Sequence, residues 1–419
     1  MKRRILPLFI SIFFAMGGLW SQQPKDNVFT LDQCVSLALE QNPLVLSSMQ
    51  QYQASLARIN QAKAFAQPSL NYDSDLQPSF FNFKNAGETY FGVSQPFEFP
   101  GKQSVRGKIA SKESDELLAE IDLLKLDLTF QVKQAFFGLL LAQEKLSYTE
   151  RNQELAQDFL EKAELKYEAG DVAQVEVLRA KVEAATAANE VRTATTDVRL
   201  AKATLNYLLS RKKYAPIEIV GKLKRDPIVL DFDILLQRAL ITRPEIKRIG
   251  FSLERERLQK KSATMSYLPD LELGINRHRV EGEGSWWDVT LSVPIPLFFW
   301  QPKKGEIAEA QANILAIQKE TDHIKNTISL EVEEAYMNAV TAENQIRLYE
   351  TEILSQAEEV YNMFLFSYQE GEIGSIELIA ARRTLLESAR SYADALFNYE
   401  AAIAALERSV GETLEGERQ

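Results

Sequence analysis

The stretch "KYEAGDVAQVEVLRAK", residues 166–181, interrupts an apolar pattern of helical period with a Gly-Asp pair. The stretch "SYQEGEIGSIELIAAR", residues 367–382, repeats this shape 201 positions later. Six pairs keep that spacing: Tyr167/Tyr368, Gly170/Gly371, Val172/Ile373, Glu176/Glu377, Leu178/Ile379 and Ala180/Ala381. The chain is therefore predicted to hold two copies of one unit, residues 22–210 and 232–412, joined by a polar linker over 211–231.

Each copy has the pattern helix, strand, strand, very long helix, helix. The first copy is predicted to contain helix 31–66, strands 69–77 and 88–98, long helix 102–168 and helix 172–209. The second is predicted to contain helix 232–264, strands 270–277 and 286–295, long helix 303–369 and helix 373–410, followed by a tail at 413–419. Pro68 and Pro269 are expected to end the first helix of each copy, because proline cannot continue a helix.

The strands alternate apolar and polar residues, which predicts one apolar and one polar face. The polar set comprises Asp73, Asp75, Glu272 and Asp288. The apolar set comprises Leu70, Tyr72, Phe91, Val93, Leu271, Leu273, Trp287, Val289 and Leu291. Two structures fit this pattern: a small sandwich with one wet face, or a barrel wall with a lipid-facing side and a watery lumen.

Three features favour the barrel. Aromatic residues gather at the strand ends: Phe80, Phe81, Phe83 and Tyr90 at one end, and Phe97, Phe99, Phe298, Phe299 and Trp300 at the other. Trp286, Trp287 and Trp300 flank the fourth strand, as an aromatic girdle would. Four strands also leave open edges, which lipid does not tolerate, so several chains are expected to close one barrel together. Symmetry would turn the polar set into rings of carboxylates that favour cations, unless loops or Arg277 and Arg279 near the mouth neutralise them.

The long helices predict an extended bundle. Residues 102–168 contain no proline, and at 1.5 Å per residue they form a helix of roughly 100 Å. Such a helix must pack side by side with its partner in an antiparallel pair. The pair needs a turn at its far end, and Gly170 and Gly371 are expected to supply it with a positive φ.

Composition narrows the function class. Lys2-Arg3-Arg4 and the apolar run that follows predict a secretory signal peptide over residues 1–21. The single cysteine, Cys34, lies in an amphipathic stretch and is expected to be a buried thiol, so we expect neither a disulfide framework nor a lipid anchor. The acidic chain, with a net charge of −11, is a poor candidate for nucleic-acid binding. The two histidines have no metal-ligand spacing, and the chain carries no nucleophile motif. We therefore expect that the protein is not an enzyme and binds no metal or other cofactor.

These residues resemble the TolC family of outer-membrane efflux proteins. The resemblance rests on the duplicated unit, the paired Tyr-x-x-Gly-x-Val/Ile motifs and the segment "SQPFEFPGKQSVRGK" at 94–108. Within that segment, Phe97-Glu98-Phe99-Pro100-Gly101-Lys102 is similar to the branch that includes cobalt-zinc-cadmium efflux channels.

The resemblance implies a mainly α-helical fold with a small β part. Three chains would form a homotrimer with a twelve-stranded barrel in outer-membrane lipid and a helical tunnel in the periplasm. The implied function is a passive exit duct that works with a periplasmic adaptor and an inner-membrane pump. The turns Gly170-Asp171-Val172 and Gly371-Glu372-Ile373 would then be docking tips for the adaptor, and Asp171, Glu176, Glu372 and Glu377 an acidic entrance. The alternative is a periplasmic coiled-coil scaffold or adhesin without channel activity.

Overall fold

The computed structural model describes residues 27–76, 79, 86–225, 231–295 and 302–414. The first copy contains β1 (Val28–Phe29), α1 (Leu31–Gln41), α2 (Pro43–Ala62), β2 (Ser69–Asp75), β3 (Glu88–Phe97), α3 (Lys102–Glu168) and α4 (Gln174–Leu208). The short strand β4 (Glu218–Ile219) leads to the second copy, with α5 (Phe232–Thr242), α6 (Pro244–Met265), β5 (Leu271–Val280), β6 (Gly284–Ser292), α7 (Pro302–Leu348), α8 (Leu354–Gln369) and α9 (Ser375–Val410). The predicted leader, residues 415–419 of the tail, and Phe80, Phe81, Phe83, Phe298, Phe299 and Trp300 lie outside the described residues.

The first helix of each copy is two helices, and the prediction of one continuous helix at 31–66 and at 232–264 was wrong. The break falls at Asn42 before Pro43, and at Arg243 before Pro244. A proline ring excludes the preceding residue from the helical region, and Asn42 and Arg243 both have extended ψ angles, of 120° and 131°. Asn42 caps the next helix by accepting a hydrogen bond from the Leu44 backbone N–H at 2.9 Å.

The four long strands form one antiparallel sheet in the order β2-β3-β5-β6. The central pair, β3 and β5, joins the two copies, since β3 belongs to the first and β5 to the second. The strand boundaries differ from the predicted ones by up to three residues. Among the described residues, β2 and β6 each pair on one side only and form the two edges of the sheet.

The long helices run from the sheet to a distant tip. α3 is unbroken over its 67 residues, whereas the equivalent helix of the second copy contains a π turn at Tyr349–Ile353 between α7 and α8. This turn explains an irregularity of the repeat: Val132 recurs 200 positions later as Val332, but Tyr167 recurs 201 positions later as Tyr368. A π turn holds one more residue than an α turn, so it absorbs the extra residue without breaking the helix.

Two related cores hold the helices together near their middle. In the first, Cys34 of α1 packs with Val132 and Leu139 of α3 and Leu205 of α4. The prediction of a buried thiol is confirmed, and burial raises the pKa of Cys34 to about 12. In the second core Val332 and Leu406, the repeat equivalents of Val132 and Leu205, pack against α5.

The predicted linker, 211–231, is partly incorporated into the fold. Its Ile217 is buried in the first core, and β4 pairs in parallel with β1. In the part of the chain that the structure describes, no helix combines the length and the apolar character needed to cross a bilayer.

Candidate channel wall and helical tips

The register of the sheet assigns its side chains to two faces. Asp73 pairs with Tyr90, Tyr90 with His278, and His278 with Trp286. Paired residues share a face, as do residues two apart along one strand. The four predicted lumen carboxylates therefore lie on one face: Asp73, Asp75, Glu272 and Asp288.

The opposite face is apolar and uncovered. By the same register it carries all nine predicted lipid-facing residues, namely Leu70, Tyr72, Phe91, Val93, Leu271, Leu273, Trp287, Val289 and Leu291. Trp287 is 66% exposed and Val289 is 70% exposed. Among the described residues no second sheet covers this face, as a sandwich would require. The chain thus presents an apolar surface that needs lipid or another chain against it.

Two of the expected girdle aromatics lie on the polar face instead. Tyr90 stacks on His278 with ring centroids 4.1 Å apart, and Trp286 lies 6.1 Å from the same histidine. The interpretation of Tyr90 and Trp286 as part of a lipid girdle was therefore wrong. Successive strand residues point to opposite faces, so of the neighbours Trp286 and Trp287 only Trp287 faces outward.

The polar face also gathers groups that the sequence pattern did not single out. The His278 ring nitrogens lie 3.5 Å from a Glu88 carboxylate oxygen and 3.6 Å from an Asp288 oxygen. The Tyr90 hydroxyl donates to Glu88 at 3.1 Å. The signal was present, because Glu88, Tyr90 and His278 occupy the alternate strand positions that share a face with Asp288 and the other predicted lumen carboxylates. Within the described ranges, no cluster of three or more His, Cys, Asp or Glu residues is arranged to hold a metal ion.

Arg277 and Arg279 lie on the apolar face, not with the carboxylates. Arg277 pairs with Phe91 and Trp287, and its guanidinium carbon is 5.2 Å from the Trp287 ring centroid. The alternative that these arginines neutralise the lumen carboxylates is therefore wrong, because the sheet separates the two sets.

The two tips are built alike at their glycines. The Asp171 N–H donates to the Lys166 carbonyl at 2.9 Å and the Gly170 N–H donates to the Tyr167 carbonyl at 3.0 Å. This pair of bonds is a Schellman motif, which places the glycine in the left-handed region. The φ angles of Gly170 and Gly371 are +83° and +76°, which confirms the predicted turn conformation.

The four predicted entrance acids are not equivalent. Asp171, Glu372 and Glu377 are exposed. Glu176 instead accepts a hydrogen bond from the buried Ser375 hydroxyl of the other copy, and its carboxylate is 2.9 Å from Arg179.

Glu176 begins a ladder that joins the two helical hairpins of one chain. Seven residues further along α4, Glu183 lies 3.0 Å from Arg383 and 3.5 Å from Arg382 of α9. After another seven residues, Glu190 lies 2.7 Å from Arg390. We call these contacts the hairpin ladder. Sequence reasoning missed it, although the heptad spacing of the three glutamates is visible in the sequence.

An aromatic cluster reinforces this joint. Phe159 of α3 lies 5.9 Å from Tyr368 of α8, and the Lys166 ammonium is 4.9 Å from the same ring. Beside it an open groove of about 460 Å³ separates α4 from α9. The groove is lined mainly by Val175, Leu178, Val182, Ile376 and Ile379.

Known proteins share this sequence pattern and this architecture. The family model described as outer membrane efflux protein matches the chain twice, over residues 34–211 and 235–412, once for each copy. The chain is 23% identical over 433 residues to the cobalt-zinc-cadmium resistance protein CzcC of Cupriavidus metallidurans, covering 98% of this chain and 100% of that protein. It is 22% identical over 431 residues to the outer membrane protein TolC of Escherichia coli, covering 95% of this chain and 84% of TolC. The solved structure of CusC superposes with a TM-score of 0.76 at 17% identity, covering 91% of this chain and 92% of CusC.

Proposed function

Because the chain belongs to the outer membrane efflux protein family, we propose that it is the exit duct of a tripartite efflux machine. Its sheet contributes to a barrel wall in the outer membrane, and its long helices continue the duct into the periplasm. There the tips meet a periplasmic adaptor, which links the duct to an inner-membrane pump. The observation that carries this proposal is a sheet with one exposed apolar face, one acidic face and two open edges, attached to helices of about 100 Å.

Closure of the barrel requires more than one chain. Membrane barrels begin at about eight strands, whereas one chain supplies a four-stranded sheet. Edge strands left unpaired in lipid would expose backbone groups with no water to bind them, so β6 of one chain must pair with β2 of the next chain. We assign three chains, the number that the family resemblance implies, with twelve strands in one barrel.

The internal duplication indicates how neighbouring chains meet at the tips. Within one chain the first copy presents Glu176 to Ser375 of the second, and Ser375 is only 3% exposed. The repeat equivalents of this pair are Glu377 and Gln174, and both are exposed. If two neighbouring chains make the same contact, Glu377 of one chain would therefore lie against Gln174 of the next chain.

The exposure of neighbouring residues supports this arrangement. Tyr368 and Ile379 pack within the joint between the two copies of one chain. Their equivalents Tyr167 and Leu178 are 43% and 55% exposed. A second chain in the repeated position would cover both residues.

Cysteine cross-linking tests the arrangement. Gln174→Cys together with Glu377→Cys should form disulfides between chains and yield a covalent trimer on a denaturing gel. Glu176→Cys together with Ser375→Cys, the matched pair within one chain, should yield a cross-linked monomer. Cys34 can stay, because its thiol is buried and its raised pKa of about 12 keeps it unreactive.

Two results would contradict the proposal. One is that the Gln174→Cys and Glu377→Cys variant yields only monomers while the Glu176→Cys and Ser375→Cys variant cross-links normally. That result would mean that neighbouring chains do not repeat the contact found within one chain. The other is a mass in detergent corresponding to a stable monomer that conducts ions, which would remove the need for a shared barrel.

The tips are the proposed docking points for the adaptor. Gly170-Asp171-Val172 and Gly371-Glu372-Ile373 form the far ends of the two hairpins, and Asp171 and Glu372 are exposed there. In the trimer they would form a ring of six turns around the tunnel mouth. Asp171 and Glu372 then give this entrance a negative charge, whereas Glu176 is engaged in the hairpin ladder and Glu377 in the equivalent contact between chains.

A further inference from the structure

Two arginines occupy positions on the apolar face where the alternation calls for apolar residues. Along β5 this face carries Leu271, Leu273 and Ile275, followed by Arg277 and Arg279. Both arginines are exposed. A cationic side chain on the lipid face of a barrel is costly at mid-membrane but is tolerated near the interface with water. The position of the arginines along the strand therefore marks a level in the membrane.

The residues beside them on the other strands define that level. The layer of Arg277 contains Tyr72, Phe91 and Trp287, so it is an aromatic belt that crosses all four strands. It lies six residues along β5 from Leu271, roughly 20 Å at 3.4 Å per residue. Aromatic belts of membrane barrels lie at the boundary between hydrocarbon and headgroups.

The next layer lies in the headgroup region. It contains Arg279 with its paired neighbours Thr89 and Ser285, together with Ser74. The position of the helices also shows which leaflet of the membrane this layer faces. The helices attach at the Leu271 end of β5, and the arginines lie near the β5–β6 turn at the other end. In the proposed duct the helices are periplasmic, so this layer faces the outer leaflet.

The guanidinium groups are available for a ligand. Among the described residues, no carboxylate lies within ion-pair distance of Arg277 or Arg279, and Glu281 and Glu283 of the neighbouring turn do not pair with them. Arg277 is held over Trp287 by a cation–π contact, at 5.2 Å from the ring centroid. An arginine fork presents paired N–H donors that suit phosphate oxygens.

From this layering we infer that Arg277 and Arg279 bind the headgroup phosphates of outer-leaflet lipid. The acyl chains of that lipid would lie on the apolar layers below, and its phosphates would meet the two guanidinium groups at the belt. In a trimer the six arginines would form a ring around the barrel. This inference rests on the proposed function, because it requires the sheet to face the outer membrane.

The test uses the full-length trimer purified in neutral detergent and bisphosphorylated lipid A as the probe. Native mass spectrometry counts bound lipid as the lipid concentration rises. The double variant Arg277→Gln and Arg279→Gln should bind about fivefold more weakly for each arginine removed, or roughly 25-fold in all, as expected for basic residues near an anionic surface. The Arg277→Lys and Arg279→Lys variant keeps both charges and should retain most of the affinity.

Matched controls separate this site from general charge effects. Arg192 and Arg199 are exposed on α4, far from the sheet, and changing both to Gln removes the same charge. That variant should bind lipid A like the wild type. Dephosphorylated lipid A should bind weakly to every variant, and inorganic phosphate should not displace the intact lipid, because it lacks the acyl chains.

Equal affinity of the wild type and the Gln variant for lipid A would overturn the inference, as would equal binding of dephosphorylated lipid. Either result leaves the exit duct intact if the wild type still fractionates with the outer membrane. Recovery of the wild type in the soluble fraction would instead contradict the proposed function, and the lipid site with it.

Discussion

Weakening the hairpin ladder should open the periplasmic end of the tunnel. The ladder joins the two hairpins of each chain through Glu183 with Arg383 and Glu190 with Arg390, at 3.0 and 2.7 Å. Glu183→Gln and Glu190→Gln remove both charges while keeping side-chain volume and a hydrogen-bond acceptor. The two hairpins should then separate more often, because the remaining contacts between α4 and α9 hold them less tightly.

The size of the effect follows from the exposure of these pairs. The glutamate side chains are 22% and 37% exposed, so the pairs are only partly shielded from water. Glu183 also pairs with Arg382, at 3.5 Å, so the variant breaks three ion pairs. Partly exposed ion pairs contribute about 0.2–1 kcal/mol each, so losing all three costs about 0.6–3 kcal/mol. The population of separated tips should therefore rise by a factor of about 3–150 at low salt, and by less at high salt, where the pairs are already screened.

Single-channel recording in planar bilayers measures this population as the frequency of openings. The matched control is Asp158→Asn, which breaks the pair with Lys162 at 2.7 Å within one helix and joins no hairpins. It should leave the opening frequency unchanged. The charge-swapped variant Glu190→Arg with Arg390→Glu should restore much of the wild-type behaviour.

A double Gln variant that opened no more often than the Asp158→Asn control would show that the ladder does not hold the tips together. An increase as large at high salt as at low salt would show that the ladder does not act through its charges.

Substitutions in a buried ion pair, at the two tips and on the polar face of the sheet should each have a measurable effect. Lys133 and Glu407 form a buried pair at 2.6 Å, so Glu407→Leu alone should lower the free energy of unfolding by about 3–5 kcal/mol by denaturant titration. The double change with Lys133→Met should recover part of that loss, short of the about 1–3 kcal/mol for the buried Leu414 N–H that no longer has Glu407 as its acceptor. Gly170→Leu with Gly371→Leu should abolish efflux and adaptor cross-linking while the trimer still reaches the outer membrane, whereas the Asn variants, which tolerate positive φ, should keep more activity; normal export by the Leu variant would limit the motif to a turn. The polar face should make the channel prefer cations, and Asp288→Asn should weaken that preference; reversal potentials in a salt gradient decide it, and anion preference of the wild type would contradict the lumen assignment.

Much of the architecture could be predicted from the sequence because the duplication supplies each observation twice. The spacing of Gly170 and Gly371 indicated two equivalent turns, and glycine is the residue that adopts positive φ at little cost. The parity of the strands assigned the acidic and apolar sets correctly to opposite faces. The fold class and the family resemblance are confirmed by the two family-model matches and the CusC superposition.

The misses have separate physical causes. The apolar period continues through Asn42 and Arg243, so it hid the breaks that the following prolines impose. The girdle interpretation counted aromatic residues without their parity, although Trp286 and Trp287 must point to opposite faces. Arg277 and Arg279 were placed near the carboxylates for the same reason, although they share the parity of Leu271 and therefore lie on the opposite face.

The hairpin ladder could not be located from the sequence alone. The heptad spacing of the α4 glutamates shows that they share one side of that helix. It does not show which helix lies opposite, because that depends on the relative rotation of α4 and α9. Only the structure brings Glu190 to Arg390, 200 residues away along the chain.

Several copies of this chain are proposed to close one conducting pore in the outer membrane. The decisive measurement is planar-bilayer recording of the wild-type protein, extracted with detergent from an outer-membrane fraction and purified as its native oligomer. We expect discrete, stepwise conductance with a preference for cations. Recovery of the protein without detergent, together with no conductance after reconstitution, would contradict this proposal and would favour a periplasmic scaffold.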